Sequence, residues 1–233
     1  MFPLLEKWRK APWLVFALVC AWKIVLFLVS AQPVPANDSF FYDGAVVNQL
    51  SGGGYFNPTI ARALPISGTK VFSAYPPLHE AVIWCWMRVF GTSALAQLAF
   101  HLTLFCGYAF VVYQILRRLR TPAWCCHFAG LFLLVLTWHD RPDSLAHLLG
   151  MLAVLTFLCA RKSFGNGAAP SASPACLWLM VLFLVLTVST SLQIGAVYLM
   201  WIWFGMLATT LAGCRAGGHV GNGGAGGGIE IGH

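Results

Sequence analysis

Six apolar runs constrain the fold of this chain more than any other feature of its sequence. They occupy residues 12–31, 93–116, 122–138, 144–160, 175–190 and 192–211. A helix that crosses a bilayer needs about 20 predominantly apolar residues, and most of these runs approach that length. Only 9% of the residues are charged and the mean hydropathy is +0.75, whereas about 25% of the residues of a soluble domain are charged. The sequence therefore predicts an all-α fold, a polytopic transmembrane helical bundle of about six spans.

Basic residues at the ends of these runs predict the orientation of the bundle. The clusters "EKWRK" (6–10), "RRLR" (117–120) and "RK" (161–162), together with Arg215, fall on one side if the spans alternate. Cytoplasmic loops are enriched in Lys and Arg, so we expect this side and the N-terminus to be cytoplasmic. The first run exceeds the roughly 7–15 apolar residues of a cleaved signal peptide. We therefore predict an integral protein of a bacterial inner (plasma) membrane whose first helix is not removed.

Charge and cysteine content exclude some other classes of protein. The net charge of +7 arises from 14 basic and 7 acidic residues, but no basic stripe accompanies it, so we expect membrane lipid and no nucleic acid as partner. The eight cysteines include no C-x-x-C pair and predict neither a disulfide framework nor a zinc site. His101, His127 and His147 are interpreted as interhelical polar groups. The sequence requires no cofactor and assigns no metal ligand, while a divalent cation stays open as an alternative.

Five of the seven acidic residues fall on the extracytoplasmic side of the predicted topology. They are Asp38, Asp43 and Glu80 in the segment 32–92, and Asp140 and Asp143 in the turn after the third run. A carboxylate at the membrane boundary is partly desolvated, which raises its proton affinity towards that of a general base. Its oxygens also suit a divalent cation. For Asp38 the alternative is that it, or Asn37, caps the next helix.

The segment 32–92 is predicted to contain two short helices that lie on the membrane surface. In "FFYDGAVVNQL" (40–50) the apolar residues recur at helical spacing, and the glycines of "SGGGYFNP" (51–58) end that helix. The Pro pair of "YPPLHEAVIWCWMRVFG" (75–91) makes a rigid entry into a second helix, and the alternative to a role of Glu80 in a site is that it complements the dipole of this helix. At the other end of the chain, the glycine-rich residues 212–233 predict a disordered tail, which places a domain boundary after residue 211.

The turn "WHDRPDSLAHLLG" (138–150) and several basic side chains supply further candidates. Asp143 or Ser144 is suited to cap the following helix, and Asp143 shares a helix face with His147, which leaves metal binding open there. Positive charge on the same side is suited to bind a phosphate, with ordinary solvated loop charge as the alternative. The residues that supply it are Arg62, Lys70, Arg88 and Arg141.

The order of several short motifs resembles that of a known enzyme family. Asp38, with Tyr42 four residues on, follows the first helix; "GGGYFNP" (52–58) and the Pro-Pro-Leu segment come next, and "RPDSLA" (141–146) follows two helices later. This order resembles the amino-terminal half of the GT-C membrane glycosyltransferases, in the branch of the protein O-mannosyltransferases and aminoarabinose transferases. The resemblance covers residues 10–200.

The resemblance implies transfer of a sugar from a polyprenyl-phosphate-linked donor to an acceptor hydroxyl of unknown nature, on the extracytoplasmic side and with inversion at the sugar carbon. It implies that Asp38 is the general base or positions the acceptor, with Asp43 as the second catalytic candidate. The residues that it implies for substrate binding are Tyr42, Tyr75, Pro76, Pro77, His79, Glu80, Arg141 and Asp143.

Two alternatives to a glycosyltransferase stay open. A transporter or flippase-like protein would use the same acids for substrate or proton coupling. Such proteins place ionisable residues in the middle of the membrane, where this sequence has Lys23. An inactive fragment of a membrane glycosyltransferase is the other alternative, because members of the family have more spans than this chain.

Overall fold

The computed structural model describes residues 11–29, 43–58, 60, 77–135, 143–162 and 174–218. Within these ranges the chain forms eight helices and no strand, which confirms the predicted all-α class. The helices are α1 (Trp13–Val29), α2 (Gly44–Leu50), α3 (Leu78–Phe90), α4 (Ala94–Arg118), α5 (Ala123–Val135), α6 (Asp143–Lys162), α7 (Pro174–Thr190) and α8 (Leu192–Gly218).

Each of the six predicted spans coincides with a helix of the structure, namely α1 and α4 to α8. Two segments, Ala94–Arg118 and Asp143–Ala160, are long and apolar enough to cross a membrane by length and composition. The other four are apolar helical segments of 10–17 described residues. The helical segments are therefore confirmed, whereas a bundle of six membrane spans is not.

Helices α4 and α6 pack along each other. Leu145, near the start of α6, belongs to the same core cluster as Phe100 and Leu104, near the start of α4. One turn further on, the side chain of Leu148 lies against Gly107, where an added Cβ would be 3.5 Å from it. The contacts advance in the same direction along both helices, so α4 and α6 are parallel. Their N-termini therefore lie at one end of the bundle and their basic C-termini at the other.

Helices α3 and α4 form a corner that positions the candidate site, and α3 confirms the second predicted short helix. Gly91 has a φ of +87°, a conformation that glycine adopts readily, and its amide donates to the carbonyl oxygen of Met87 at 2.8 Å. Ser93 caps α4, because its Oγ accepts a hydrogen bond from the amide of Ala96 at 3.2 Å. Trp86 Nε1 donates to the carbonyl oxygen of Ala96 at 2.8 Å, which fixes α3 against α4.

Helix α2 confirms the first predicted short helix, and the glycines after it end the helix as predicted. Gly52 and Gly54 both have positive φ, +83° and +90°. The side chain of Asn48 donates to the carbonyl oxygen of Gly54 at 2.8 Å, so the loop folds back on the helix. A Cβ at Gly44 would lie 2.9 Å from Asn57 Oδ1, so a side chain at the first residue of α2 would displace that of Asn57.

The chain divides into two units, Met1–Tyr198 and Leu199–His233. Helix α8 begins in the first unit and continues to Gly218. Residues 212–218, which their glycine content assigned to a disordered tail, are thus helical, and residues 219–233 lie outside the described residues. The helix extends past its apolar run because adding a residue to an existing helix costs much less than nucleating a new one.

Candidate functional site

Asp43 immediately precedes α2 and is buried against α3 and α4. Its backbone occupies the N-cap position of α2, but its carboxylate makes no capping hydrogen bond. Instead, Oδ1 lies 3.0 Å from His79 Nε2, and Gln97 Nε2 donates a hydrogen bond to Oδ2. The Asp43 side chain is only 1% exposed. We call Asp43, His79, Gln97 and His101 the Asp43 cluster.

Helix geometry brings the two histidines and the glutamine of the cluster to one place. His79 lies in the first turn of α3, while Gln97 and His101 are four residues apart on α4 and so share a face of that helix. His101 Nε2 lies 3.9 Å from Asp43 Oδ2. The imidazole rings of His79 and His101 are stacked, with centroids 6.0 Å apart and an angle of 27° between their planes. Phe100 packs edge-on against both rings.

The ionisation of Asp43 follows from its neighbours. Burial alone would raise the pKa of Asp43, because an ionised carboxylate is poorly solvated in the protein interior. His101 and His79 outweigh burial and lower this pKa to about 2. Asp43 is therefore ionised at neutral pH. A general base works best when its pKa lies near the working pH, so these surroundings suit a group that pairs with positive charge better than they suit a base.

Glu80 follows His79 directly in α3 but has different surroundings. Tyr55 donates a hydrogen bond from its hydroxyl to Glu80 Oε2. Burial raises the pKa of Glu80 to about 7, and the negative charge of Asp43 contributes to the rise. A carboxyl group with this pKa exchanges its proton near neutral pH, which is the property that a general acid or base requires.

Glu80 lines an open groove of about 370 Å³, which we call the Glu80 groove. The lining residues are Val46, Gln49, Tyr55, Pro77, Glu80, Ala81, Trp84 and Cys85. Ligand pockets typically enclose about 300–1,000 Å³, so the groove suits a small molecule. Arg88 lies one turn after Trp84 in α3, and its guanidinium is 5.9 Å from the centre of the Trp84 ring. The groove therefore combines aromatic rings, a carboxyl group and a nearby cation.

The structure brings together four of the ten predicted site residues. Asp43 and His79 belong to the Asp43 cluster, and Pro77 and Glu80 line the groove. Asp143 begins α6, whose Leu145 packs in the same core cluster as residues of α2 and α3; Asp143 thus lies at the same end of the bundle. Five predicted residues lie outside the described ranges, and their roles stay predictions. They are Asp38, Tyr42, Tyr75, Pro76 and Arg141.

Eight residues of these two sites were not predicted from the sequence to take part in them: Val46, Gln49, Tyr55, Ala81, Trp84, Cys85, Gln97 and His101. The sequence signal for the last two was a pair of polar side chains four residues apart within an apolar run. His101 was interpreted as an interhelical polar group, yet neither of its ring nitrogens has a hydrogen-bond partner in the described part of the chain. Tyr55 lies in the glycine loop, where sequence patterns give no direction for a side chain.

His147 belongs to a separate polar contact. Its Nδ1 lies 3.2 Å from the hydroxyl of Tyr198, and the ring of Tyr108 packs edge-on against it with centroids 6.4 Å apart. This arrangement, which joins residues of α4, α6 and α8, agrees with the interpretation of His147 as an interhelical polar group.

No protein-family model, curated protein or solved structure matches this chain. Among the described residues, the Asp43 cluster and the Glu80 groove concentrate the ionisable and aromatic side chains that are suited to chemistry.

Proposed function

We propose that this chain is a membrane glycosyltransferase. It transfers a sugar from a polyprenyl-phosphate-linked donor to an acceptor hydroxyl on the extracytoplasmic side of the membrane, and Glu80 takes the proton of that hydroxyl. The observation that supports this most strongly is a carboxyl group in the wall of an open groove that Tyr55 and Trp84 also line.

The composition of the groove favours a sugar over most other small molecules. The C–H faces of a sugar ring pack well on aromatic rings such as Tyr55 and Trp84, and its hydroxyls donate hydrogen bonds to a carboxylate. Gln49 adds an amide that both donates and accepts hydrogen bonds. A groove of about 370 Å³ has room for a monosaccharide.

The chemistry is a direct displacement. Glu80 accepts the proton of the acceptor hydroxyl while the hydroxyl oxygen bonds to the anomeric carbon of the donor. The bond between that carbon and the phosphate oxygen breaks, and polyprenyl phosphate leaves with the electron pair, so the configuration at the carbon is inverted. Tyr55 orients the carboxylate through its hydrogen bond. Arg88, beside Trp84, neutralises charge on the departing phosphate.

The proposal includes a bundle of six membrane spans with the groove on the extracytoplasmic side. Its support is an outward surface of large apolar side chains: Leu28, Trp124, Phe128 and Trp178 are 69–73% exposed. Such a surface is unfavourable in water at about 25 cal/mol per Å² and is suited to lipid. The groove lies next to the start of α4, whereas the basic end of α4 lies at the opposite end of that helix, and the basic end is expected to be cytoplasmic.

The test is transfer of radiolabelled mannose from polyprenyl-phosphate mannose by the full chain in liposomes, with hydroxyl-containing peptides and lipids as acceptors. We expect Glu80→Gln to lower the transfer rate by at least about 100-fold, the lower range for loss of a general base. Glu230→Gln makes the same chemical change outside the described residues and serves as the matched control. Asp38→Asn tests the base that the family resemblance implies.

The outcomes separate the competing interpretations. If Asp38→Asn stops transfer and Glu80→Gln transfers at the wild-type rate, Asp38 is the base and the assignment to Glu80 is wrong. If the wild-type chain transfers no sugar but moves the donor across the bilayer, the chain is a flippase or transporter. If it does neither, the chain is inactive and the proposed function is overturned.

A further inference from the structure

Three potential ligand atoms from three elements meet in the Asp43 cluster. Asp43 Oδ1 lies 3.0 Å from His79 Nε2, and Asp43 Oδ2 lies 3.9 Å from His101 Nε2. One ligand atom from each of the three residues lies within 4.8 Å of the other two. All three side chains are buried, with 1–3% of each residue exposed. Asp43 precedes α2, His79 lies on α3 and His101 on α4, so the cluster joins segments that are distant in sequence.

His101 shows that hydrogen bonding alone does not satisfy this cluster. Its Nε2 is buried and has no hydrogen-bond partner in the described ranges, although it faces a carboxylate oxygen 3.9 Å away. That separation exceeds the length of a hydrogen bond. Leaving a buried polar atom without a partner costs about 1–3 kcal/mol, so a ligand that bonds to this nitrogen would stabilise the fold.

The spacing of the atoms suits a metal ion bonded to all three. Zinc binds histidine nitrogen and carboxylate oxygen at about 2.0–2.2 Å in tetrahedral geometry, which places neighbouring ligand atoms about 3.3–3.5 Å apart. The observed separations are 3.0 Å from Asp43 Oδ1 to His79 Nε2 and 3.9 Å from Asp43 Oδ2 to His101 Nε2, and one ligand atom from each residue lies within 4.8 Å of the other two. Shifts of about 1 Å in the side chains would therefore bring the three ligand atoms to the spacing that zinc requires.

We propose that Asp43, His79 and His101 bind one zinc ion. Two imidazoles and one carboxylate are typical zinc ligands, whereas magnesium and calcium prefer sites built from oxygen atoms. The site leaves a fourth position for water or another ligand. Gln97, which donates a hydrogen bond to Asp43 Oδ2, is a positioning residue that orients the carboxylate.

The role of the ion is to fasten the segment before α2 to the corner between α3 and α4. Glu80 follows His79 directly in α3, so an ion on His79 also fixes the start of the helix that lines the groove. Zinc binding is independent of the proposed sugar transfer, and its test needs no donor or acceptor.

The test is metal binding by the full chain, purified in detergent and freed of metal with a chelator. Zinc is added, unbound metal is removed, and bound metal is counted by mass spectrometry. We expect one zinc per wild-type chain and none for His101→Gln. His127→Gln is the matched control, because His127 also has a buried ring nitrogen without a hydrogen-bond partner among the described residues but does not belong to the cluster. Gln97→Leu should weaken zinc binding by about 10–100-fold.

A cobalt titration guards against loss of folding and against binding to the cysteines. His101→Cys keeps a ligand at this position, so it should bind one cobalt and gain the absorption band of a cobalt–thiolate bond, which the wild-type chain should lack. A thiolate band in the wild type would assign the ion to cysteine residues and overturn the proposal. Zinc content in His101→Gln equal to that of the wild type, or a wild type without bound zinc, would also overturn it.

Discussion

The Asp43 cluster and the Glu80 groove each contain one buried carboxyl group, yet the two groups behave differently. Asp43 and Glu80 are exposed to 1% and 3%, but Asp43 is enclosed by His79, Gln97 and His101, whereas Glu80 lines the open groove. The pKa of Asp43 is lowered to about 2, because two histidines outweigh burial, whereas burial and the charge of Asp43 raise that of Glu80 to about 7. The partners of a buried carboxyl group, together with its burial, therefore decide whether it stays ionised or exchanges a proton near neutral pH.

The first turn of α3 contributes one residue to the Asp43 cluster and one to the Glu80 groove. His79 and Glu80 are consecutive residues of α3, and consecutive side chains of a helix diverge by about 100°. His79 therefore faces Asp43 and α4, while Glu80 faces Tyr55 and the groove. This division allows a substitution in one region to be tested for its effect on the other.

The largest effect is expected for Glu80→Gln, which should affect sugar transfer at the Glu80 groove and not zinc binding at the Asp43 cluster. Glu80→Gln should lower sugar transfer by at least about 100-fold while the bound zinc stays at one ion per chain, because Gln keeps the shape of the side chain and leaves the Asp43 cluster intact. Transfer and zinc content are measured on the same preparation. Loss of zinc together with activity would show that the two regions are one site.

The second effect concerns stability. Asp43→Ala removes the only carboxylate of the cluster and leaves the buried His79 and Gln97 side chains without their hydrogen-bond partner, which costs about 1–3 kcal/mol for each group. The free energy of unfolding is measured in detergent with added denaturant. Asp143→Ala, which removes an acidic side chain from the first turn of α6, should cost about 0.3–1 kcal/mol through the helix dipole. Equal losses from both substitutions would contradict the central role of Asp43.

A smaller effect tests the packing behind Asp43. Gly44→Ala places a Cβ 2.9 Å from Asn57 Oδ1, and such overpacking should lower the free energy of unfolding by about 1–3 kcal/mol. Gly107→Ala is the matched control, because its Cβ would meet Leu148 at an ordinary 3.5 Å. The control should leave stability unchanged or raise it by about 0.5–1 kcal/mol, as expected for alanine in a helix interior. A larger loss of stability from Gly107→Ala than from Gly44→Ala would show that the start of α2 does not pack against Asn57.

The smallest effect is expected at the corner that supports both regions. Trp86→Phe removes the hydrogen bond to the carbonyl oxygen of Ala96 and should lower the free energy of unfolding by about 0.5–1.5 kcal/mol. Trp124→Phe, at a side chain that is 71% exposed, should change it by less. Trp86→Phe should leave the zinc stoichiometry unchanged, since Trp86 belongs to neither the Asp43 cluster nor the Glu80 groove. A fall in bound zinc would contradict this prediction.

Much of the fold could be predicted from local sequence patterns. Helical spacing of apolar residues located α2, the Pro pair located the start of α3, and the six apolar runs located the remaining helices. The length of α8 could not be predicted in this way, because composition indicated disorder for residues 212–218 although they continue a helix. A glycine-rich sequence lowers helix propensity, but it does not by itself end a helix that has already formed.

The candidate site was predictable only in part, because it depends on contacts between distant segments. The acids Asp43 and Glu80 were singled out because they fall, with three of the other five acids, on the predicted extracytoplasmic side. Gln97 and His101 were not assigned to this site, since within an apolar run a polar side chain that meets a loop has the same sequence pattern as one that meets another helix. Their proximity to Asp43 depends on the packing of α4 beside α3, which local sequence patterns do not specify.

The most direct test of the difference between Asp43 and Glu80 is labelling of the full chain with a membrane-permeant carbodiimide at neutral pH. Such reagents modify carboxyl groups that are protonated and within reach, and peptide mass spectrometry locates and quantifies the product. We expect Glu80, which lines the groove, to be modified and Asp43, which is enclosed by His79, Gln97 and His101, to stay unmodified. Labelling of Asp43 at a rate equal to or above that of Glu80 would contradict this account, in which Asp43 stays ionised and enclosed while Glu80 is reached from the groove and exchanges its proton near neutral pH.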